Sequence, residues 1–107
     1  DICVQRYQTC SVGISPHRDS NSHGKLIALL SLSGKAKFSI CRERDIATAT
    51  TTFTSVPGDL VLMRAPGFAG PDDDIRPFHS VYEIEGPRYV LAMRIETDLP
   101  TKYFLKK

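Results

Sequence analysis

The stretch KLIALLSLS, residues 25–33, decides the fold. Apolar side chains fill both alternating sets of positions: Leu26, Ala28, Leu30 and Leu32 on one side, and Ile27 and Leu29 with Ser31 on the other. Because side chains alternate between the two faces of a strand, this pattern predicts a strand buried on both faces. No segment of the chain shows convincing helical periodicity, and threonine, valine and isoleucine are frequent, as is typical of a β protein.

Further strands are predicted on both sides of this stretch. Together the predicted strands cover 2–8, 11–16, 25–33, 36–42, 51–55, 59–65, 77–84 and 88–96. Glycine and proline predict turns at SGK (33–35), VPGD (56–59) and EGP (85–87). About eight short strands without a helix indicate a β-sandwich or jelly roll. We expect residues 1–107 to form a single domain that lacks flanking segments, because no helix is available to cover the outer side of its sheet.

Composition narrows the class of protein. The chain has 107 residues, 41% of them hydrophobic and 24% charged, which is ordinary for a soluble globular domain. No apolar run approaches the roughly 20 residues of a membrane span. The net charge of +2 is scattered, so charge does not support nucleic acid as a partner. Cys3, Cys10 and Cys41 lack metal-ligand spacing and predict small buried or free thiols, hence an intracellular, cytoplasmic protein; the alternative is a disulfide. The oligomeric state is not indicated.

Three residues predict a metal site. His17 and Asp19 are two positions apart, so on a strand both side chains point to the same face. A third ligand must come from another strand, and RPFHSV supplies His79. Two imidazoles and one carboxylate on one side of a metal form the facial triad of non-haem Fe(II) oxygenases. We interpret His23 and the acidic run Asp72–Asp74 as solvated loop residues, with metal binding and a role at the site mouth as their respective alternatives.

The last predicted strand carries a second signal, RYVLAMR at 88–94. Arg88 and Arg94 share one face with Val90 and Ala92, while the intervening apolar residues face outward. A buried arginine requires an anion, and guanidinium groups bind carboxylates in a bidentate manner. The two arginines therefore predict a site for a small dicarboxylate; the alternative is that one or both lie at the surface.

Together these motifs resemble the Fe(II)/2-oxoglutarate-dependent oxygenases, particularly the AlkB-like branch. The shared features are H-x-D at 17–19, the distal His79, and R-x-x-x-x-x-R at 88–94. QRY at 5–7 is similar to the N-x-Y of that branch, IALLSLSGKAKFSI (27–40) to its strand–SLG–strand segment, and PGDLVLM (57–63) to the strand before the distal histidine.

The resemblance implies a double-stranded β-helix of the jelly-roll, cupin-like kind. It implies Fe(II) held by the catalytic residues His17, Asp19 and His79. It further implies 2-oxoglutarate bound by Arg88 and Arg94 with help from Tyr7 and Gln5, and O₂ as co-substrate. Such enzymes convert 2-oxoglutarate to succinate and CO₂ while hydroxylating, or oxidatively demethylating, a second substrate.

The chain departs from the family pattern at positions that concern the substrate. Gln5 replaces an asparagine, Val90 and Ala92 replace polar residues, and Asn21 stands where AlkB-like repair enzymes often carry a base-reading aspartate. These changes do not support nucleic-acid demethylation, and the substrate stays unidentified. The alternative function is a non-catalytic jelly-roll binding module with a vestigial or repurposed metal site. A metal-dependent hydrolase is a third option, for which the sequence offers only His23 or the 72–74 acidic run as a base.

Overall fold

The computed structural model describes residues 2–18, 23–70 and 76–96. The described chain is all-β and forms one antiparallel sheet of six strands. The strands are β1 (Ile2–Tyr7), β2 (Ile14–His17), β3 (His23–Cys41), β4 (Ala49–Ser55), β5 (Leu60–Arg64) and β6 (Phe78–Glu96). The only helical element in these ranges is a 3₁₀ turn at Ile46–Thr48, far shorter than a helix that crosses a bilayer.

The all-β prediction is confirmed, but the described residues form six strands rather than about eight. The predicted strands 25–33 and 36–42 are two parts of β3, and 77–84 and 88–96 are two parts of β6. The turns predicted at 33–35 and 85–87 are therefore wrong, because the chain passes through both segments without reversing. The turn at 56–59 is present and is closed by a 3.1 Å hydrogen bond from the Asp59 amide to the Val56 carbonyl.

The two 19-residue strands pair with each other and divide the sheet into two sections. In the first section, the second half of β6 lies between β1 and the first half of β3. β5 pairs with the opposite edge of β3. In the second section, the first half of β6 lies between β2 and the second half of β3, with β4 beside β3. The strand order is thus β1-β6-β3-β4, with β2 on β6 and β5 on β3.

A bulge in β3 changes which positions face the core. Ile27 is a buried core residue before the bulge, and Ala36 and Phe38 are buried core residues after it, so the core positions change from odd to even numbers. The pairing with β6 shifts register between Ser31 and Lys37, and Gly34 within this segment has a φ of +75°. A bulge of this kind inserts an extra residue and bends the strand.

β6 also changes which of its positions face the core. His79 and Val81 are buried before the change, whereas Ile84, Arg88 and Val90 are buried after it. Glu83, between the two sets, has a positive φ of 51°, the left-handed region that non-glycine residues seldom adopt. Residues nine positions apart would point to opposite faces of a regular strand. This irregularity is what places His79 and Arg88 on the same side of the sheet.

The core lies on the common inner side of both sections. Its buried residues are Ile27, Ala36, Phe38, Met63, Ala65, Val81 and Ile84. A 2.7 Å hydrogen bond joins the buried hydroxyls of Ser31 and Ser55, so these polar groups are satisfied within the sheet. The inner side thus packs as one cluster although it is built from two sections of sheet.

The outer side of the first section is less buried than the sequence predicts. Leu26, Ala28 and Leu30 are half-buried, and Leu32 is 48% exposed. On the inner side of the same strand, Ile27 and Ser31 are both 3% exposed. The expectation of a strand buried on both faces therefore holds for one face only within the described residues.

All three cysteines are free thiols, as predicted. Cys41 is buried, Cys3 is half-buried and Cys10 is exposed. Burial, and then the nearby Asp45 carboxylate, raise the pKa of the Cys41 thiol, because both disfavour the thiolate. Cys41 therefore behaves as a small core residue rather than a reactive group.

Candidate metal and dicarboxylate site

The structure brings six of the seven predicted site residues to one cavity on the inner side of the sheet. They are Gln5 and Tyr7 from β1, His17 from β2, and His79, Arg88 and Arg94 from β6. The seventh, Asp19, lies outside the described residues, as do Asn21 and the 72–74 acidic run. His23, predicted to lie in a loop, is instead the first residue of β3.

His17 and His79 lie side by side because β2 pairs with the first half of β6. The two residues are direct partners across the antiparallel pair, and their ring centroids are 4.3 Å apart at an interplanar angle of 52°. The register shifts between Ile14 and His17, so an irregularity in β2 positions the imidazole.

The hydrogen bond of His17 defines its tautomer. Its Nδ1 is 2.9 Å from the Ser15 backbone carbonyl, which can only accept, so Nδ1–H donates. The neutral ring then carries its lone pair on Nε2, the usual arrangement for a metal-binding histidine oriented by a backbone carbonyl.

Three contacts of phenylalanine rings lie at or beside the imidazole pair, and the sequence analysis missed all three. The ring of Phe38 stacks on His79 with centroids 5.6 Å apart and an interplanar angle of 5°. The guanidinium of Arg18 lies 4.1 Å from the Phe78 ring centroid, and that of Arg44 lies 5.3 Å from it. Arg18 follows His17 and Phe78 precedes His79, so the Arg18–Phe78 contact ties β2 to β6 beside the histidines. Adjacency to the histidines in the sequence was the available signal for Arg18 and Phe78, whereas Phe38 and Arg44 carried no such signal.

The arginine face of β6 forms the other end of the cavity. Arg88 is 3% exposed, and Val90 and Ala92 beside it are 1% and 0% exposed. Tyr7 is the direct cross-strand partner of Arg88, whose guanidinium lies 5.1 Å from the tyrosine ring centroid. Burial lowers the pKa of Arg88, and the hydrogen bond to the Tyr7 hydroxyl partly offsets that effect.

Arg94 is half-buried and also lines the cavity. Its Nη2 donates a hydrogen bond to the Cys3 sulfur, at 2.7 Å. Cys3, Gln5 and Tyr7 alternate along β1 and share its less exposed side. Cys3 is therefore a neighbour of the site that the sequence analysis treated only as a free thiol; its period-two spacing from Tyr7 was the signal that could have identified it.

The cavity has a marked charge imbalance. Among the described residues that line it there are two guanidinium groups, two imidazoles and no carboxylate. The Nε of buried Arg88 has no hydrogen-bond partner in the described part of the chain. Such a site favours an anionic ligand, because a buried cation is costly unless a negative group faces it.

The described residues do not by themselves form a three-ligand metal site. Within residues 2–18, 23–70 and 76–96 no three His, Cys, Asp or Glu side chains cluster closely enough to hold a metal. His17 and His79 form a pair, and the carboxylate that would complete a facial triad, Asp19, is two residues beyond His17.

No protein-family model matches this chain, and no curated protein is significantly similar to it.

Proposed function

We propose that the protein is an Fe(II)- and 2-oxoglutarate-dependent dioxygenase, and that its bent six-stranded sheet corresponds to a double-stranded β-helix. The observation that supports this most is the convergence of a histidine pair and an arginine pair on one cavity free of carboxylates among its described lining residues. Either pair alone is common; a metal-binding and a dicarboxylate-binding set side by side is the arrangement that this chemistry requires.

The residues present fit the group that the proposal needs. His17 and His79 offer imidazole nitrogens from adjacent strands, and Asp19 would supply the single carboxylate, a donor set typical of non-haem Fe(II). Bound Fe(II) would couple the oxidative decarboxylation of 2-oxoglutarate to hydroxylation of a substrate. The protein would supply the ligand set, the orientation of both reactants and a site shielded from water.

The arginine face would hold the two-headed acid. Arg88, buried beside Tyr7, is suited to a carboxylate because a planar guanidinium donates two parallel hydrogen bonds. Arg94 lies farther along β6 and would contact either 2-oxoglutarate or the second substrate, the one that is hydroxylated. Val90 and Ala92 between them are small enough to leave space for a ligand.

The test uses the whole chain under anaerobic conditions. Fe(II) and 2-oxoglutarate are added together, and we expect a weak visible charge-transfer band, followed by succinate when O₂ is admitted. His79→Ala should abolish both signals, whereas the matched change His23→Ala should leave metal affinity within about twofold. Arg88→Ala should retain metal binding and weaken 2-oxoglutarate binding about tenfold or more.

The alternative, a binding module without turnover, gives a different result. No band, no succinate and no difference in metal affinity between His79→Ala and His23→Ala would reject the oxygenase. Metal binding without succinate would indicate a repurposed site.

A further inference from the structure

A groove runs along the outer side of the second sheet section, on the face opposite the histidine pair. Ser80 and Tyr82 of β6 form its floor, since they alternate with the buried residues His79 and Val81. β2 and the residues before it form one wall, and Ile46 of the 3₁₀ turn lines the groove from the β3 side. The remaining lining residues are Val12, Gly13, Ile14, Ser15 and Pro16.

The walls of this groove are apolar and open to solvent. Val12 is 93% exposed, Ile46 is 45% exposed and Ile14 is 38% exposed. The groove encloses about 880 Å³, counting the space at its open mouth. Small-molecule sites are mostly apolar clefts of about 300–1,000 Å³ in which a few polar groups orient the ligand. The size and the lining of the groove therefore suit a small, largely apolar ligand.

Ser80 places a polar group on the floor of the groove. The residue is 2% exposed, and its hydroxyl has no hydrogen-bond partner in the described part of the chain. The Tyr82 hydroxyl, by contrast, lies 3.0 Å from Ser39 Oγ, which is itself 2.8 Å from Thr52 Oγ1. Because buried polar groups are usually hydrogen-bonded, the Ser80 hydroxyl points to a ligand group that would satisfy it.

One end of the groove is cationic. Phe78 continues the floor at period two from Ser80, and the guanidinium carbons of Arg18 and Arg44 lie 4.1 Å and 5.3 Å from its ring centroid. Each arginine is two positions along the sequence from a residue that lines the groove, one on each wall. The two walls therefore end in a pair of guanidinium groups that share one aromatic ring.

This arginine pair is not neutralised by an acidic side chain of residues 2–18, 23–70 or 76–96. Neither Arg18 nor Arg44 forms an ion pair within these ranges. Asp45, next to Arg44 in the sequence, caps the 3₁₀ turn, and its Oδ1 accepts a 2.9 Å hydrogen bond from the Ala47 amide. A guanidinium that stacks on a ring keeps its in-plane N–H groups free for a carboxylate. This end of the groove therefore favours an anionic group.

We propose that this groove binds a monocarboxylic acid with an unbranched apolar chain, of the fatty-acid class. The carboxylate lies between Arg18 and Arg44 and accepts a hydrogen bond from the Ser80 hydroxyl, and the chain runs along Tyr82 between the apolar walls. The floor from Phe78 to Tyr82 is about 13 Å long, at roughly 3.3 Å per residue. A chain of medium length would fill it.

The far end of the groove disfavours an acid with a second carboxylate. Lys37, the cross-strand neighbour of Tyr82, is the cation nearest to that end in the strand pairing, and its Nζ is 3.1 Å from the Glu83 carboxylate. A second carboxylate would therefore lie against apolar walls without a free cation, which is costly. This separates the ligand of the groove from the two-headed acid of the inner cavity.

The probes are octanoate, decanoate and dodecanoate, added to the full chain below the concentrations at which they form micelles. Amide chemical shifts of the protein give the Kd and locate the site. We expect the Kd to fall about threefold to fourfold for each further methylene that is buried. Decanol lacks the charge and decylamine reverses it, so both should bind at least about tenfold more weakly than decanoate.

Variants separate the apolar wall from the cationic end. Ile46→Ser should raise the Kd of decanoate about tenfold, whereas Leu60→Ser, at a residue 55% exposed on β5 and outside the groove, should leave it unchanged. Arg44→Gln should weaken decanoate about tenfold and leave the Kd of decanol unchanged. Arg42→Gln removes the same charge from an exposed position nearby that does not line the groove, and should have no effect. Circular dichroism establishes that each variant is folded.

Several outcomes would overturn the proposal, and none of them depends on metal or turnover. Absence of shifts with all three acids, or equal affinity for decanol and decanoate, would show that the groove does not hold a carboxylate. Insensitivity to Ile46→Ser would place the binding elsewhere. Displacement of decanoate by 2-oxoglutarate, together with loss of binding in Arg88→Ala, would place it in the inner cavity. Sedimentation of a dimer that Ile46→Ser dissociates would identify a second copy of the chain as the occupant.

Discussion

Arg88 is the residue at which burial and charge conflict most directly. It is 3% exposed, its Nε has no partner among the described residues, and the neighbour that stabilises its charge is the Tyr7 ring and hydroxyl. An aromatic ring and a neutral hydroxyl compensate a buried cation only in part, because a full counter-charge is worth considerably more. An anion facing Arg88 would complete this compensation, and Tyr7 contacts the guanidinium from the neighbouring strand.

Tyr7→Phe tests the role of the Tyr7 hydroxyl. The substitution keeps the ring beside Arg88 and removes only the hydroxyl, so we expect 2-oxoglutarate affinity to fall about tenfold, the effect of losing one hydrogen bond to a charged group. Metal affinity should not change. The measurement is calorimetric titration of 2-oxoglutarate into protein loaded with Mn(II).

Tyr89→Phe is the matched control, since Tyr89 lies on the opposite side of the same sheet section, across from Arg6. It should bind 2-oxoglutarate as the unmodified protein does. If the two variants behaved alike, the Tyr7 hydroxyl would have no specific role at the site.

At the scale of the elements, paired irregularities in β3 and β6 form the site. Gly34 has a φ of +75°, and a Cβ built on it would lie 2.7 Å from the Pro87 carbonyl oxygen and 2.8 Å from the Arg88 Cα. β3 and β6 therefore approach each other here more closely than any side chain allows. This contact fixes the backbone of Arg88 as β6 enters the first section.

Gly34→Ala should destabilise the protein for two reasons. The left-handed backbone costs an alanine about 1–2 kcal/mol, and the clash with β6 adds about 1–3 kcal/mol. Gly58→Ala is the control, because Gly58 has a φ of +94° but nothing within 4 Å of its built Cβ. Urea unfolding of both variants isolates the close approach: equal losses of unfolding free energy would show that β3 and β6 do not constrain position 34.

These irregularities also explain what the sequence could and could not predict. Alternation along KLIALLSLS and RYVLAMR correctly predicted strands and the inner face that carries Arg88. The glycine of SGK predicted a turn, because the left-handed conformations of a turn and of a bulge favour the same residue, and Gly34 has a φ of +75°. The glycine of EGP predicted a turn for the same reason, but Gly86 does not adopt that conformation. Only the pairing partner distinguishes them, and that information is not local. The positive φ of Glu83 carries no sequence signal, so the change of face within β6 could not be anticipated.

At the scale of the whole molecule, the sheet is not closed by its described residues. β4 pairs only with β3, and no described strand covers its other edge. Its sequence, ATTTFTS, contains no charge and no proline. Uncharged, threonine-rich edges are templates for pairing with other chains. Within this chain the β4 edge is thus a candidate site for aggregation.

Thr51→Lys should slow that aggregation. Thr51 is exposed on β4, so a lysine there adds charge to the edge without entering the core. We expect a longer lag in thioflavin fluorescence and light scattering at neutral pH. Gln8→Lys adds the same charge at an exposed position outside the strands. An equal delay in both variants would show that net charge, rather than the β4 edge, controls the process.

The continuity of β6 has a consequence for how this site can be inherited. One uninterrupted backbone from Phe78 to Glu96 carries His79, Arg88 and Arg94. A recombination event that exchanged this whole segment would transfer the candidate metal ligand His79 together with the arginine pair Arg88 and Arg94. Loss or gain of a single residue between positions 80 and 87 would turn Arg88 and Arg94 to the face opposite His79, because side chains alternate along a strand. Lineages that retain this chemistry should therefore tolerate length variation in neighbouring loops but not within this segment.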